Sequence, residues 1–284
     1  MGNSRSIDID TDFSPQALGR ILTEELKLPV NSRFRVAYSG GMDSHVLLHA
    51  LAQLRAVPGF VLHAVHVDHC LQPASGEWAR HCEQICADLD VPCVVERIHV
   101  AGLGEEGLEA AARRERYACL ARHIEPGEVL LTAHHQDDQA ETMLLQLLRG
   151  AGVQGLAGMS PLMAFAAGWL ARPLLYFPRH ALERYARAEG LCWVDDPSNR
   201  DLRHGRNLLR HKIFPTLQAR WPAMARQLAQ AARHAAEAAD ILEEVARADL
   251  GHRQVDGGLQ VSLLAQLPAP RRRNALRYWI RERG

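Results

Sequence analysis

Over 284 residues the chain balances 33 basic side chains against 33 acidic ones, and because Lys27 and Lys212 are the only lysines, 31 of the positive charges are arginine. A composition 47% hydrophobic and 23% charged is that of a globular protein, about two domains by length, and excludes a disordered, collagen-like or coiled-coil chain. With no run of about 18 apolar residues, a polar start unlike a signal peptide, and six cysteines too few for a disulfide framework, the expected setting is the reduced cytoplasm, with no membrane.

The first half alternates. Residues 34–39 form a short apolar run that closes on Gly40-Gly41, and 44–54 then takes helical spacing. The pattern repeats with a strand over 61–67 and a helix over 75–89, a strand over 92–100 and a helix over 108–122, and a strand over 129–134 and a helix over 137–149. Strands alternating with helices of this length predict βαβ units, and continuous apolar runs predict strands buried on both faces. The expected fold is α/β, a doubly wound, mainly parallel, Rossmann-like sheet followed by a helical region. Residues 150–158 hold four glycines and read as a loop. A last strand is expected over 168–175, then helices over 179–189 and 207–219, an alanine-rich helix over 223–250, and a helical pattern over 262–283. These divide the chain into a first domain over 1–220, a linker helix over 221–250 and the start of a small helical domain over 251–284.

Charge is uneven beneath its zero sum. Between residues 172 and 233 eleven arginines and Lys212 meet five acidic residues, whereas 101–145 holds nine acidic and four basic. The arginine surplus suits phosphate contacts, or is the solvated helix surface of an arginine-rich protein.

Ser39-Gly40-Gly41-Met42-Asp43-Ser44 stands between the first strand and the first helix. Glycines let the backbone approach an anion, a helix start offers N–H groups and a positive dipole end, and the two serines add hydroxyls. The string is neither a Walker loop nor a dinucleotide fingerprint, and the expected ligand is a pyrophosphate or ATP phosphate. Asp43 repels phosphate unless a cation lies between them, which predicts Mg²⁺.

With this loop the chain resembles the PP-loop ATP pyrophosphatases, which cleave ATP between the α and β phosphates and transfer AMP to a substrate oxygen. The resemblance extends through His66-Val67-Asp68-His69, Ala112-Arg113, Arg116-Tyr117, the run from His134-His135 through Gln136-Asp137-Asp138-Gln139-Ala140-Glu141-Thr142, Arg149-Gly150, Arg172-Pro173-Leu174, Asp196-Pro197-Ser198-Asn199 and Arg206-Asn207. In this order, over residues 34–222, these segments resemble the tRNA(Ile)-lysidine synthetase family. That implies an adenine-nucleotide α-hydrolase-like fold, use of ATP and Mg²⁺, and a ligase. The ligase adenylates the C2 oxygen of the wobble cytidine in the CAU-anticodon tRNA(Ile). The ε-amine of L-lysine then displaces AMP to give lysidine, with AMP and PPi as by-products. It also implies further C-terminal tRNA-binding domains, so the chain is expected to be truncated; helix-borne surfaces leave room for a homodimer.

The nucleotide is expected against Ala37, Ser39, Gly40, Gly41, Met42, Asp43 and Ser44, with His66 and His134 at the strand ends where ligands of open α/β sheets bind. Asp138 and Glu141, three apart on one helix, face the same side; by resemblance they hold the substrate lysine, with Arg206 assisting. Asp137 points away, toward the metal with Asp43. A helix start that favours acidic residues accounts equally for Asp137 and Asp138, but not for Glu141 together with His134-His135. Arg113 and Arg116, on one helical face, are placed to meet charge developing on phosphate oxygens, or to pair with Glu109 or Glu115. The expected catalytic set is Asp43, Arg113, Asp138, Glu141 and Arg206.

Rival readings are a metal site, a PP-loop tRNA cytidine thiolase, and a non-catalytic nucleotide-binding module. His66, His69, Cys70, His81 and Cys82 cluster in sequence, yet no spacing is that of a structural zinc site. Cys82 and Cys86, four apart, are not the paired cysteines of a thiolase. Cys70 stands where the family resemblance leads one to expect glycine.

Overall fold

The chain enters through α1 (Pro15–Arg20), whose N-cap Ser14 accepts the Ala17 N–H on its Oγ at 3.1 Å and which runs on into a π-helical turn, Ile21–Glu25. Proline at the first helical turn loses no hydrogen bond there. The sequence pattern misses this helix because six residues carry too little periodicity; burial of Leu18, Ile21 and Leu22 fixes it instead. The structure is a computed structural model, which describes residues 12–29, 31–56, 60–70, 72–98, 107–251, 254–255 and 258–283.

The βαβ alternation follows as expected, with β1 (Arg33–Ala37), α2 (Met42–Gln53), β2 (Val61–Asp68), α3 (Ser75–Asp88), β3 (Cys93–Arg97), α4 (Gly107–Ala121), β4 (Val129–Leu131) and α5 (Gln136–Leu148). The third strand ends at Arg97, and the last residues of its expected span, 99–100, lie outside the described residues. A short α6 (Val153–Leu156) interrupts the expected glycine loop. A hairpin of β5 (Leu162–Phe165) and β6 (Gly168–Ala171) then closes the sheet, whose order is β3-β2-β1-β4-β6-β5. Every pairing is parallel except β5 with β6. β5 is absent from the sequence reading because its two-residue connection, Ala166-Ala167, lacks the usual turn residues while Ala166 takes φ 49°. The expected strand over 168–175 stops at Ala171; Pro173, without an N–H, opens a 3₁₀ turn over Pro173–Tyr176.

Helices cover both faces of the sheet. Leu47, Leu48 and Leu51 of α2 pack with Phe34, Val36, Leu62 and α1, and Leu182 of α7 (Arg179–Ala188) joins that cluster. On the other face Leu120 of α4 packs with Val65, Leu130 and Leu170. α8 (Gly205–Leu208) continues through a π-helical turn, Leu209–Ile213, into α9 (Phe214–Arg220). The 27-residue α10 (Met224–Leu250) joins Met224 and Ala225 to Ala140, Leu209 and Phe214 at its start. At its end Leu250 packs with Leu264, Leu267 and Ala275, beneath the small ribbon of β7 (Gln254–Val255) and β8 (Gly258–Leu259), α11 (Val261–Ala265) and α12 (Ala269–Arg281). Among the described residues no helix is long and apolar enough to cross a membrane.

Strand order reverses between β1 and β4. From β1 the chain steps outward to β2 and β3, and beyond β4 it builds β6 and β5 on the opposite side. At such a switch point the loops leaving the strands' C-terminal ends diverge and open a crevice. Here those loops are 38–41 and 132–135.

Candidate active site

The loop after β1 is held open by its own backbone. Gly40 has φ +81°, and a Cβ there would lie 2.8 Å from Cys82 Sγ, so only glycine fits both the dihedral and the space. Ser44 Oγ accepts the Ser39 N–H at 3.2 Å, lies 3.0 Å from Ser39 Oγ and donates to the Gly41 carbonyl at 2.9 Å. Gly41 caps α2 without a side-chain bond, leaving the first-turn N–H groups directed at the crevice. These donors and the helix dipole make a cradle for phosphate. Asp43, in the first turn of α2, has a buried Oδ1 with no hydrogen-bond partner; its Oδ2 lies 3.7 Å from His135 Nε2. Burial raises its pKa, against the pull of His135. An orphaned, buried carboxylate oxygen beside a phosphate cradle fits a divalent cation.

His135 organises the second half of the site. It is 1% exposed and caps α5 by a reciprocal box: its Nδ1 accepts the Asp138 N–H at 3.2 Å, and its own N–H donates to Asp138 Oδ2 at 3.0 Å. With Nδ1 accepting, Nε2 is the ring nitrogen free to donate, and it faces Asp138 Oδ2 at 3.4 Å and Asp43 Oδ2 at 3.7 Å. The phosphate loop and the α5 carboxylates are thereby joined through one imidazole.

Asp138 and Glu141 share a face of α5, as their spacing predicts, and both are buried. Arg210 bridges them, donating from Nε to Glu141 Oε1 at 2.8 Å and from one terminal nitrogen to Glu141 Oε2 at 3.0 Å and Asp138 Oδ1 at 2.8 Å. Arg206 lies 3.3 Å from Glu141 Oε2 and donates to Thr142 Oγ1 at 2.8 Å. Burial alone would raise both carboxyl pKa values. For Asp138, His135, His134 and Arg210 outweigh it and hold the group at about 2; for Glu141 burial wins and the pKa stays raised, despite Arg210.

Other expected residues fall around the same edge. His134 pairs its Nδ1 with Thr132 Oγ1 at 2.9 Å and is kept neutral, its pKa pushed down to about 3 by burial and by the nearby Arg172, Arg113 and Arg116. His66, 5% exposed, donates from Nδ1 to the Tyr38 carbonyl at 2.9 Å and ties β2 to the loop after β1. Ala37 ends β1, and Met42 is buried at the start of α2. Arg113 and Arg116 lie over the Tyr117 ring at 5.1 and 5.7 Å, while the neighbouring Arg114 takes Glu115. The side chain of Glu109 lies outside the described residues.

Asp137, expected toward the metal with Asp43, is engaged at the start of a neighbouring helix. Its Oδ2 accepts the Arg179 N–H at 2.8 Å, capping α7, and the charged groups acting on Asp43 are His135, Asp138, Arg179 and Arg210. One helical position is 100° of rotation, enough to turn Asp137 off the Asp138–Glu141 face. The histidine and cysteine cluster of the sequence does not converge either: among the described residues the group with metal-ligand proximity is Glu96, Cys119 and His123, where His123 Nε2 and Glu96 Oε1 already bond at 2.9 Å. Cys82 and Cys86 are buried in the core. Arg210 is absent from the expected site, although Arg206 and Arg210 stand four apart on one helix face. His135 and the buried Arg172 fall within the sequence motifs but have no expected place in the site.

Known proteins resemble the chain in sequence and in fold. The chain matches the PP-loop domain family over residues 15–217 and the TilS substrate binding domain over residues 259–284. It is 49% identical over 269 residues to a tRNA(Ile)-lysidine synthase of Alkalilimnicola ehrlichii, covering 95% of this chain and 60% of that one. A tRNA(Ile)-lysidine synthase of Coxiella burnetii is 44% identical (94% and 59% covered), and one of Chromobacterium violaceum 50% identical (87% and 57% covered). The chain spans about three-fifths of the length of these curated relatives. Among solved structures, the U34-tRNA thiolase NcsA of Methanococcus maripaludis superposes with a TM-score of 0.63 at 14% identity, over 78% of this chain and 76% of that one, a likeness of fold alone. By fold, phosphate loop and sequence match, the chain belongs to the PP-loop domain family, alongside proteins curated as tRNA(Ile)-lysidine synthases.

Proposed function

We propose that the chain carries the catalytic machinery of a cytoplasmic tRNA(Ile)-lysidine synthase, a ligase that joins L-lysine to C2 of the wobble cytidine in the CAU-anticodon tRNA(Ile). The observation that carries this is the junction of two unlike sites through His135: a phosphate cradle at residues 39–44 and a buried carboxylate pair, Asp138 and Glu141. A nucleotide-binding module has use for the first and none for the second. Residues 1–220 form the catalytic domain, 221–250 the linker helix, and 251–284 part of a substrate-binding domain.

In this reading the loop N–H groups hold the ATP phosphates, with Ala37, Met42, His66 and His134 beside the nucleotide. The cytidine O2 attacks the α phosphorus and PPi leaves; the ε-amine then attacks C2 and AMP leaves. Arg113 meets charge on the phosphate oxygens. Asp43 would hold Mg²⁺, which when bound neutralises phosphate charge. The amine must shed a proton before it attacks, since lysine's ordinary pKa is near 10.4. Asp138, held low, stays ionised and anchors the ammonium; Glu141, held high, is the better proton acceptor, with Arg206 steadying it.

Labelled L-lysine supplied to the full protein with ATP and CAU-anticodon tRNA(Ile) should appear in the tRNA, with PPi released. Asp138→Ala should lower incorporation at least about a hundredfold, in the range of a lost charge-assisted contact at a reacting group, while ATP binding persists. Turnover with sulfide in place of lysine would overturn the reading in favour of a thiolase.

A further inference from the structure

Resting on the lysine-pocket reading above, we propose that Arg210 is a resident stand-in for the substrate's ammonium, and that lysine enters the pocket by exchanging with it.

Each of the four oxygens of Asp138 and Glu141 already accepts a hydrogen bond, three of them from Arg210 and the fourth, Asp138 Oδ2, from the His135 N–H. The carboxylates lie beneath the guanidinium: the side chain of Glu141 is 1% exposed and that of Asp138 12%, whereas that of Arg210 is 28% exposed. A cation arriving from solvent therefore meets Arg210 before it meets either acid. At the pair itself two guanidinium groups, Arg206 and Arg210, face two carboxylates, and Arg210 holds three of the four oxygens, so a substrate ammonium gains those contacts by taking the place of Arg210.

The surroundings are built to survive that exchange. Without Arg210, Glu141 keeps Arg206 at 3.3 Å and Asp138 keeps the His135 N–H at 3.0 Å. Arg210 itself lies on the π-helical turn Leu209–Ile213, where Phe214 N–H reaches back to the Leu209 carbonyl. Single π turns within helices mark places where the helix shifts register, and they recur at functional sites. Bonded to both acids, Arg210 prevents repulsion between two buried carboxylates and sets their spacing for a cation. It makes Arg210 a positioning residue and a brake on lysine affinity.

Calorimetric titration of the chain with L-lysine, in the presence of a non-hydrolysable ATP analogue, tests this. Arg210→Met keeps the side-chain length and removes the competitor; its Kd for lysine should fall about tenfold, the effect of one charge-assisted contact no longer displaced. The lysine-induced rise in its Tm should exceed that of the unsubstituted chain. Arg210→Lys, which refills the subsite with a tethered ammonium, should bind lysine within about threefold of the unsubstituted chain. Independently of any variant's folding, the ¹⁵Nε signal of Arg210 in the unsubstituted chain should lose its protection when lysine saturates the site. An unchanged Arg210 signal with lysine bound, or Arg210→Met binding lysine no more tightly, overturns the exchange and leaves the lysine pocket intact. No lysine binding by either chain overturns both.

Discussion

Cys70 shows what one residue can record about a backbone. It sits at φ 53°, in the left-handed region, with its N–H donated to Asp68 Oδ1 at 2.8 Å. The resemblance leads one to expect glycine there, and the dihedral supplies the reason: a Cβ in this region costs about 1–2 kcal/mol that glycine avoids. Glycine gives part of that back as entropy on folding, so Cys70→Gly should stabilise the chain by about 0.5–1 kcal/mol, read as a raised urea midpoint. Cys70→Ala keeps the Cβ and should give no gain; an equal gain from alanine would show that the thiol, not the dihedral, was at fault. Gly40 is the converse case, where φ +81° and the nearby Cys82 Sγ leave no room for any other residue.

Elements were legible where they repeat and obscure where they depend on a distant partner. Four strand–helix units could be read from apolar runs and spacing because each carries its own periodicity. β5 could not, since a four-residue edge strand is defined by β6, and α1 could not, since burial rather than propensity makes it a helix. The site divides the same way. Asp138 and Glu141 share a helix and could be seen together. Arg210 reaches them from 69 and 72 residues away along the chain, a distance no local pattern spans. Arg35 is a further example. Within the apolar first strand it looks out of place, yet its guanidinium donates to Glu128 at 3.2 and 2.9 Å, and Glu128 is fully buried. That pair locks β1 to the start of β4 at the base of the switch point, where the Glu128 carbonyl also accepts the Trp169 N–H and comes so near Gly168 that a Cβ there would lie 2.1 Å away. Glu128→Ala strands a buried guanidinium and should cost about 3–5 kcal/mol in urea unfolding. Arg35→Met with Glu128→Leu should recover most of it, because an apolar pair of similar volume replaces both charges. A loss below about 1 kcal/mol for Glu128→Ala would mean that water already reaches the pair.

At the scale of the whole molecule the neutral sum resolves into separate uses of arginine. Some of the arginines between residues 172 and 233 are used within the chain: Arg206 and Arg210 on the α5 carboxylates, Arg172 on the Ser160 carbonyl and, at the surface, Arg200 and Arg203 on Asp195 and Asp201. Arg220 differs. It closes α9 and lies over the ring of Trp221, 54% exposed, at 5.8 Å, presenting a cation and an aromatic face side by side. That pairing suits single-stranded or looped nucleic acid, whose phosphates take the charge and whose bases stack. If tRNA lies there, the two residues should fail in different ways. Arg220→Ala should weaken tRNA binding and reduce the slope of log affinity against log salt by about one, for one fewer phosphate contact. Trp221→Ala should weaken binding about tenfold or more through lost stacking and leave that slope unchanged. Arg203→Ala should move the slope less than Arg220→Ala, because Asp201 already holds the Arg203 guanidinium. Filter-binding isotherms of the full protein across a salt series decide the matter: equal slopes for all three variants would place the tRNA on another face.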